Sequence, residues 1–305
     1  MSLRDKVIIE VALNENQMRA ANPNVPYSPE EIARSARECQ DAGAAVVHYH
    51  GRDPTTGAPM MSDAGVSLAA QRLINETTSL IAYPTYGSMT RVLDYYDIGE
   101  PAPQRFGHIV QGIKEGIRFE VGPVDLGAYD ANAFPGPDGM IPSTGLLMNT
   151  GADHKFKAKF CSDNGMKITF ALFDTRHVRN LKNVIDWGIS GRGPLIVKYF
   201  LNGFGASIGS ELRLLTHYRE EMAELVSEPI SWMPVTGGGD QFPMCAAGLA
   251  LGGHARVGIG DYHYAEQGAP TNAALVERLV GLARAIGREP ATPAEAREIW
   301  RLTPL

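Results

Sequence analysis

The stretch SPEEIARSARECQDAG, residues 28–43, lies between two short apolar runs, VIIEVAL at 7–13 and AVVHYH at 45–50. It carries the residues that begin and end a helix, namely Ser28 as the N-cap, Pro29 at the first helical position, Glu31 for a capping box and Gly43 at the carboxyl end. The flanking runs are rich in β-branched residues and are short enough to be strands. This part of the chain therefore predicts a strand, a helix and a second strand, the repeating unit of a parallel α/β sheet.

The same alternation of short apolar runs with helical patterns continues along the chain. Eight strands are predicted, at residues 7–13, 45–50, 80–85, 117–121, 167–172, 194–201, 230–235 and 255–259. Helical patterns at 272–286 and 292–300 follow the last run. We predict an α/β fold, a (β/α)8 TIM barrel formed as a single domain by residues 1–305. Residues 127–163, rich in Gly, Pro and Asn, are predicted to form a long inserted loop.

Composition and charge exclude several classes of function. Apolar residues make up 44% of the chain, charged residues 20%, and the formal net charge is -6, which argues against disorder and against a basic surface for nucleic acid. The cysteines Cys39, Cys161 and Cys245 have no CxxC spacing, so we expect reduced thiols in a cytoplasmic protein. No apolar run is long enough to span a membrane.

The sharpest local signal is AAVVHYHGRD, residues 44–53. Side chains on a strand alternate faces, so His48 and His50 are predicted to project together into the barrel near the carboxyl end of the second strand. Two neutral imidazoles at this spacing can supply half of a tetrahedral metal site. The alternative is a pair of hydrogen-bonded core histidines without a metal.

A metal site needs further ligands, and Glu10 in the first strand is the predicted carboxylate. Its alternative is an ion pair with an inward Lys or Arg, for which Lys198 in PLIVKYFLN is a partner. Lys198 also indicates an alternative to metal catalysis, because a desolvated lysine on a barrel strand can form a Schiff base with a carbonyl substrate. Both alternatives stay open at the level of the sequence.

The last strand and its exit, HARVGIGDYHY, bring Arg256 and Asp261 to the end of the barrel where active sites form. We predict that Asp261 is a general base and that Arg256 tunes it or binds a carboxylate, the alternative being a structural Arg–Asp pair. The loop PTYGS at 84–88 follows the third strand and can present backbone N–H groups to an anionic substrate. Within it, Thr85, Tyr86, Gly87 and Ser88 are the predicted substrate-binding residues.

Four segments together resemble the β-keto acid cleavage enzymes, whose founding activity is 3-keto-5-aminohexanoate cleavage. They are NPNVPYSPEEIA, AGAAVVHYHGRD, GGHARVGIGD and NAALVERLVGLARAIGREPATPAEAREI. The resemblance covers nearly the whole chain and departs most within residues 127–163. It implies a (β/α)8 barrel, a homo-oligomer such as a dimer or tetramer, that converts a β-keto acid and acetyl-CoA into acetoacetate and a new CoA thioester.

The resemblance also implies roles for individual residues. His48 and His50 correspond to the zinc ligands of the family, and Arg256 and Asp261 to its catalytic arginine and aspartate. The family's substrate loop corresponds to residues 84–87, with Thr85 and Gly87 retained.

This chain departs from the family at several site positions. Gly260 stands where the family has the glutamate that is its third zinc ligand, Ala171 where a glutamate is expected in strand five, and Pro84 in place of the loop serine. A glutamate near the end of the first loop is shifted, which leaves Glu15 or Asn16 in its region, and we predict that Asn14 and Glu15 bind substrate. Because strand eight lies beside strand one in a closed barrel, Glu10 is predicted to replace the missing zinc ligand.

These observations predict a zinc enzyme that cleaves β-keto acids by a retro-Claisen reaction with acetyl-CoA as co-substrate. The missing glutamates indicate a substrate other than the amino-bearing one. Two alternatives are a Schiff-base aldolase using Lys198 and a barrel that binds a metal or metabolite without catalysis.

Overall fold

The computed structural model describes residues 2–61, 63–86, 105–130, 146–201 and 211–302, and the structural statements below concern these ranges. Eight central parallel strands are present, labelled β1 (Ile9–Ala12), β2 (Val46–Tyr49), β3 (Ile81–Pro84), β4 (Val121–Asp125), β5 (Lys167–Leu172), β6 (Leu195–Leu201), β7 (Ile230–Thr236) and β8 (Ala255–Val257). The short strand Lys6–Val7 pairs with Glu289–Pro290, and Tyr129–Asp130 pairs with Leu146–Leu147.

The central strands form two hydrogen-bonded ladders, in the orders β8-β1-β2-β3 and β4-β5-β6-β7. The ladders adjoin each other, since β3 packs beside β4 and β7 beside β8. At the second junction, the His254 amide donates to the Trp232 carbonyl oxygen at 2.8 Å and the Gly238 amide donates to that of Asp261 at 3.0 Å. The strands thus follow chain order around a ring, which confirms the predicted α/β barrel.

The described helices are α1 (Pro29–Ala42), α2 (Ala64–Thr77), α3 (Gly107–Lys114), α4 (Gly151–Asp163), α5 (His177–Asp186), α6 (Leu212–Leu225), α7 (Phe242–Ala250), α8 (Asn272–Ala285) and α9 (Pro293–Trp300), with 3-10 turns at Leu3–Asp5 and Ala265–Gln267. The predicted start and end of α1 are confirmed: the capping box joins Ser28 and Glu31, and Gly43 has a φ of 117°. Within the described ranges, the structure contains no helix with the length and apolarity needed for a membrane span.

Two predicted boundaries are wrong. The fourth strand begins at Val121, not at Ile117, because the Ile117 amide donates to the Gly112 carbonyl oxygen and so closes the end of α3. Residues 151–163 form helix α4 and are not part of a loop, with Thr150 and Asp153 in a capping box. This helix buries Lys157 and His154 beside apolar groups, so its sequence lacks the apolar stripe that reveals a helix.

The barrel interior is apolar at its amino-terminal end and polar above it. The lower layer is apolar, with Ile8, Val46, Ile81 and Ile196 fully buried. Trp300 of α9 packs against the same cluster, and its indole N–H donates to the Ser231 hydroxyl at 2.8 Å.

Side chains of a strand alternate, so the same inner face continues two residues later with Glu10, His48, Tyr83 and Lys198. All four are buried. The polar residues of the barrel therefore lie toward the carboxyl ends of the strands, the side on which barrel enzymes carry their active sites.

The α1 capping box makes folding stability depend on pH. One oxygen of Glu31 accepts from the amides of Tyr27 and Ser28 and from Arg19. Burial alone would raise the pKa of Glu31, but these hydrogen bonds lower it to about 2 from 4.5. The Glu31 carboxylate thus stabilises the folded protein at pH values above its pKa in the unfolded chain, which is 4.5. This stabilisation is lost as the pH falls from there toward about 2, the pKa in the folded protein.

We expect Glu31→Gln to reduce the free energy of unfolding by about 1 kcal/mol at neutral pH, with the difference from the original chain shrinking below about pH 4. Urea unfolding of both proteins across this range measures the effect. Glu38→Gln, on an exposed site of α1, is the control. A difference that does not change with pH would contradict this explanation.

Candidate active site at the carboxyl ends of the strands

His48 and His50 converge inside the barrel, as the strand alternation predicts. Both are buried, and their ring centroids lie 5.3 Å apart with the ring planes at 84°. The Nδ1 atom of His48 is 3.2 Å from the carbonyl oxygen of Tyr83. Because a carbonyl only accepts, this contact places the His48 proton on Nδ1 and leaves Nε2 with a free electron pair.

The carboxylate that meets these rings is Glu15, in the loop after β1. One oxygen of Glu15 contacts His50 Nε2, and the other lies 3.4 Å from His48 Nε2. Ligand atoms of these residues all lie within 4.8 Å of one another, and we call Glu15, His48 and His50 the three-donor group. The structure therefore brings Glu15, and not the predicted Glu10, to the two histidine rings.

The strand register explains why Glu10 does not reach the histidines. In the β1–β2 ladder Glu10 pairs with Val46, and Ala12 pairs with His48. Glu10 thus lies two residues, or about 6.6 Å measured along the strand, before the register position of His48. Its carboxylate contacts Lys198 and Arg256 instead.

Glu10 forms the ion pair that the sequence left as an alternative. Its Oε1 accepts from Lys198, from the Tyr83 hydroxyl at 2.8 Å and from Arg256 at 3.0 Å. Burial opposes ionisation, but the charges of Lys198 and Arg256 prevail and lower the pKa of Glu10 to about 2. Lys198 donates to Glu10 and to the Tyr83 hydroxyl, which supports a structural role over a nucleophilic one.

Arg256 joins the carboxylates of the site. It binds Asp261 through two hydrogen bonds of 2.8 and 2.7 Å, Glu15 through one of 2.6 Å, and Glu10 through the contact above. Burial raises the pKa of Asp261, and the Arg256 charge opposes that shift without overcoming it. Arg256 and Asp261 thus form a bidentate pair directly beside the three-donor group.

The backbone around Glu15 is held in an uncommon conformation. Glu15 has a φ of 36°, in the left-handed region that non-glycine residues seldom adopt. The buried Arg52 side chain donates to the carbonyl oxygens of Glu15, Gln17 and Gly57, which secures this loop. Sequence reasoning missed Arg52, although it follows His50 at the alternating spacing.

Asn14 and Glu15, predicted to bind substrate, make contacts within the protein in this structure. The Asn14 amide donates to the carbonyl oxygens of Pro26 and His50, and its oxygen accepts from the His50 amide. Asn14 is fully buried and therefore fixes the end of β2 relative to the first loop. Glu15 belongs to the three-donor group and to the Arg256 network.

Gly260 provides the space that Glu15 occupies. A β-carbon at position 260 would lie 2.6 Å from Cγ of Glu15 and 2.9 Å from the Ala12 carbonyl oxygen, both too close for ordinary contact. A side chain at position 260 and the present position of Glu15 therefore exclude each other.

The predicted substrate loop is only partly described. Thr85 is half-buried, and its carbonyl oxygen lies 2.8 Å from His108 Nε2. The Tyr86 hydroxyl donates to Asp125 at 2.6 Å, so this group is occupied within the protein. Gly87 and Ser88 lie outside the described residues.

Comparison with known proteins supports the fold and identifies relatives of the chain. The family model for beta-keto acid cleavage enzymes matches residues 6–302. The chain is 30% identical over 303 residues to the 3-keto-5-aminohexanoate cleavage enzyme of Acetoanaerobium sticklandii, covering 97% of this chain and 98% of the relative. It is 27% identical over 320 residues to the 3,5-dioxohexanoate:acetyl-CoA acetone transferase of Paraburkholderia graminis, covering 99% and 97% of the two chains.

Among solved structures, the apo structure of ObcA superposes with a TM-score of 0.70 at 16% identity. The match covers 92% of this chain and 66% of the longer ObcA chain, and it supports the barrel fold. Because the family match spans nearly the whole sequence, this chain belongs to the beta-keto acid cleavage enzyme family.

Proposed function

We propose that this enzyme cleaves a β-keto acid with acetyl-CoA at a zinc site formed by Glu15, His48 and His50. The acyl group R–CO leaves the carboxymethyl carbon of R–CO–CH2–COO− and is transferred to the CoA sulfur. The acetyl group of acetyl-CoA forms the new carbon–carbon bond to that carbon, so the products are acetoacetate and R–CO–SCoA. The acetyl-CoA-dependent reactions in the names of relatives support this assignment.

The observation that carries the proposal is the convergence of two imidazole nitrogens and a carboxylate on one buried point. The chemistry of the donors fits a divalent cation, since burial lowers the pKa of His48 to about 3 and keeps its ring neutral. Nδ1 of His50 is buried and has no hydrogen-bond partner among the described residues, which leaves the ring unpaired except at Nε2. When bound, a divalent cation supplies a Lewis acid that polarises a substrate carbonyl oxygen.

The remaining steps are assigned to the residues around this point. Asp261 is the base that removes a proton from the carboxymethyl carbon, because its raised pKa suits proton transfer. Arg256 holds Asp261 in a single orientation through its two parallel hydrogen bonds. Thr85, half-buried at the end of β3, is assigned to the substrate carboxylate. Substrate binding by Gly87 and Ser88, assembly as a homo-oligomer and a cytoplasmic location stay predictions.

We expect the purified enzyme to release acetoacetate from at least one β-keto acid of a panel with cationic, neutral and anionic R groups. Acetoacetate, measured enzymatically, should form in equal amount to R–CO–SCoA, measured by mass spectrometry. Removal of metal with a chelator should reduce the rate by about 100-fold or more, and zinc should restore it. Absence of acetoacetate across the panel, or full activity in protein shown to be metal-free, would refute the proposal.

The same preparation distinguishes the Schiff-base alternative. A lysine-dependent aldolase would be trapped covalently by borohydride in the presence of substrate and would survive chelation. We expect no adduct at Lys198, because its amino group is occupied by Glu10 and Tyr83.

A further inference from the structure

The barrel wall formed by β5, β6 and β7 is largely apolar toward the carboxyl ends of the strands, with Lys198 as the charged residue in register between Ala171 and Met233. The inner face there carries Ala171, Phe173, Phe200, Met233 and Val235, which belong to one cluster and which we call the apolar wall. Phe173 and Phe200 are stacked, with ring centroids 4.2 Å apart. No member of the apolar wall has a side chain that accepts or donates a conventional hydrogen bond.

The apolar wall faces the proposed metal site. Because the strands follow chain order around the ring, β5 and β6 lie across the barrel from β1 and β2, which carry the three-donor group. Arg256 connects the two sides: its guanidinium carbon is 5.8 Å from the Phe200 ring centroid, and the same guanidinium binds Glu15. Phe200 and Ala171 retain 8% and 6% exposure, whereas Met233, Val235 and Ile196 have none.

The charged groups described near the apolar wall already have partners, and Arg256 is among them because it binds three carboxylates. Lys198, on the same face of β6, binds Glu10. Asp125, the register neighbour of Ala171 at the end of β4, accepts from the Tyr86 hydroxyl, and the charge of the fully buried Lys157 acts on it against the effect of burial. A charged substituent held against the apolar wall would therefore lose water without gaining an uncommitted ionic partner among the residues that the structure describes there.

We infer that the apolar wall binds the R group of the β-keto acid and selects substrates in which R is uncharged and apolar. This inference rests on the function proposed above and adds the chemical class of its substrate. The carboxylate end of the substrate lies at the polar side of the barrel, and R lies along Phe173, Phe200 and Ala171. The apolar wall then disfavours a polar R group because removing that group from water costs free energy. Each methylene of R, in contrast, adds favourable free energy of burial.

A matched pair of substrates tests the inference. The compounds 3-oxo-5-methylhexanoate and 3-oxo-5-aminohexanoate differ by one methyl group in place of an ammonium group of similar size. We expect kcat/KM for acetoacetate release to favour the methyl compound by about tenfold or more. In a straight-chain series from 3-oxopentanoate to 3-oxooctanoate, kcat/KM should rise by roughly fourfold for each methylene until the wall is covered. Equal or better cleavage of the amine, or a series that is flat from the start, would overturn the inference.

Two variants at one position separate charge from size. Ala171→Glu places a carboxylate on the apolar wall and should shift the kcat/KM ratio toward the amine by about tenfold or more, whereas the isosteric Ala171→Gln should leave the ratio nearly unchanged. The same shift in both variants would contradict the inference. If either variant fails to fold, the two substrate comparisons in the unaltered enzyme decide the matter. Failure of the proposed function gives no acetoacetate from any substrate, whereas failure of this inference gives acetoacetate without a preference for apolar R groups.

Discussion

Replacing Glu15 by glutamine is expected to weaken zinc binding by more than about 100-fold and to abolish acetoacetate release at ordinary zinc concentrations. The amide keeps the size of the side chain but removes the negative charge that faces His48 and His50. Metal content after dialysis, together with titration of the apo protein with zinc, measures the effect without relying on activity. Cobalt substitution adds a direct readout, because its visible absorption reports the number and type of ligands.

Two further variants make the Glu15 result specific. Glu10→Gln should retain metal, since Glu10 binds Lys198 and Arg256 one layer below the histidines. Glu76→Gln, on the exposed face of α2, should match the unaltered protein. If Glu10→Gln lost the metal and Glu15→Gln kept it, the ligand assignment from the structure would be wrong.

Replacing Arg256 by methionine is expected to lower the free energy of unfolding of the apo enzyme by about 3–5 kcal/mol and to abolish activity. Methionine fills a similar volume but leaves Glu10, Glu15 and Asp261 without the guanidinium that joins them. Lys198 then remains as the cationic partner of Glu10, and the other two carboxylates lose a buried hydrogen-bonded charge. Urea unfolding in the presence of a chelator measures the loss separately from metal binding.

Arg37→Met is the matched control for this prediction, because Arg37 pairs with Asp41 on the exposed surface of α1. A surface ion pair of this kind contributes at most about 1 kcal/mol. Arg256→Lys should recover part of the stability but little activity, since lysine cannot make the two parallel hydrogen bonds to Asp261. A loss below about 1 kcal/mol in Arg256→Met would show that the carboxylates tolerate the missing charge.

Much of the barrel was predictable from local patterns. The capped helix α1 and the strands on either side of it follow from residue types within a few positions of each other, and the structure confirms them. Helix α4 escaped prediction because its buried lysine and histidine have partners that are distant in sequence, such as the backbone amide of Gly127 for His154. From sequence alone, a polar residue is predicted to be exposed unless such a partner is known.

The convergence of His48 and His50 was determined by the sequence, because side chains two apart on a strand share a face wherever that strand lies. The choice of carboxylate was decided only by the tertiary structure. The β1–β2 register sets Glu10 one layer too low, and the left-handed backbone at Glu15, secured by Arg52, turns another acid toward the rings. Gly260, far away in sequence, leaves the volume that this acid needs. Register, loop conformation and free volume are properties of several segments packed together, so no single segment of the chain encodes them alone.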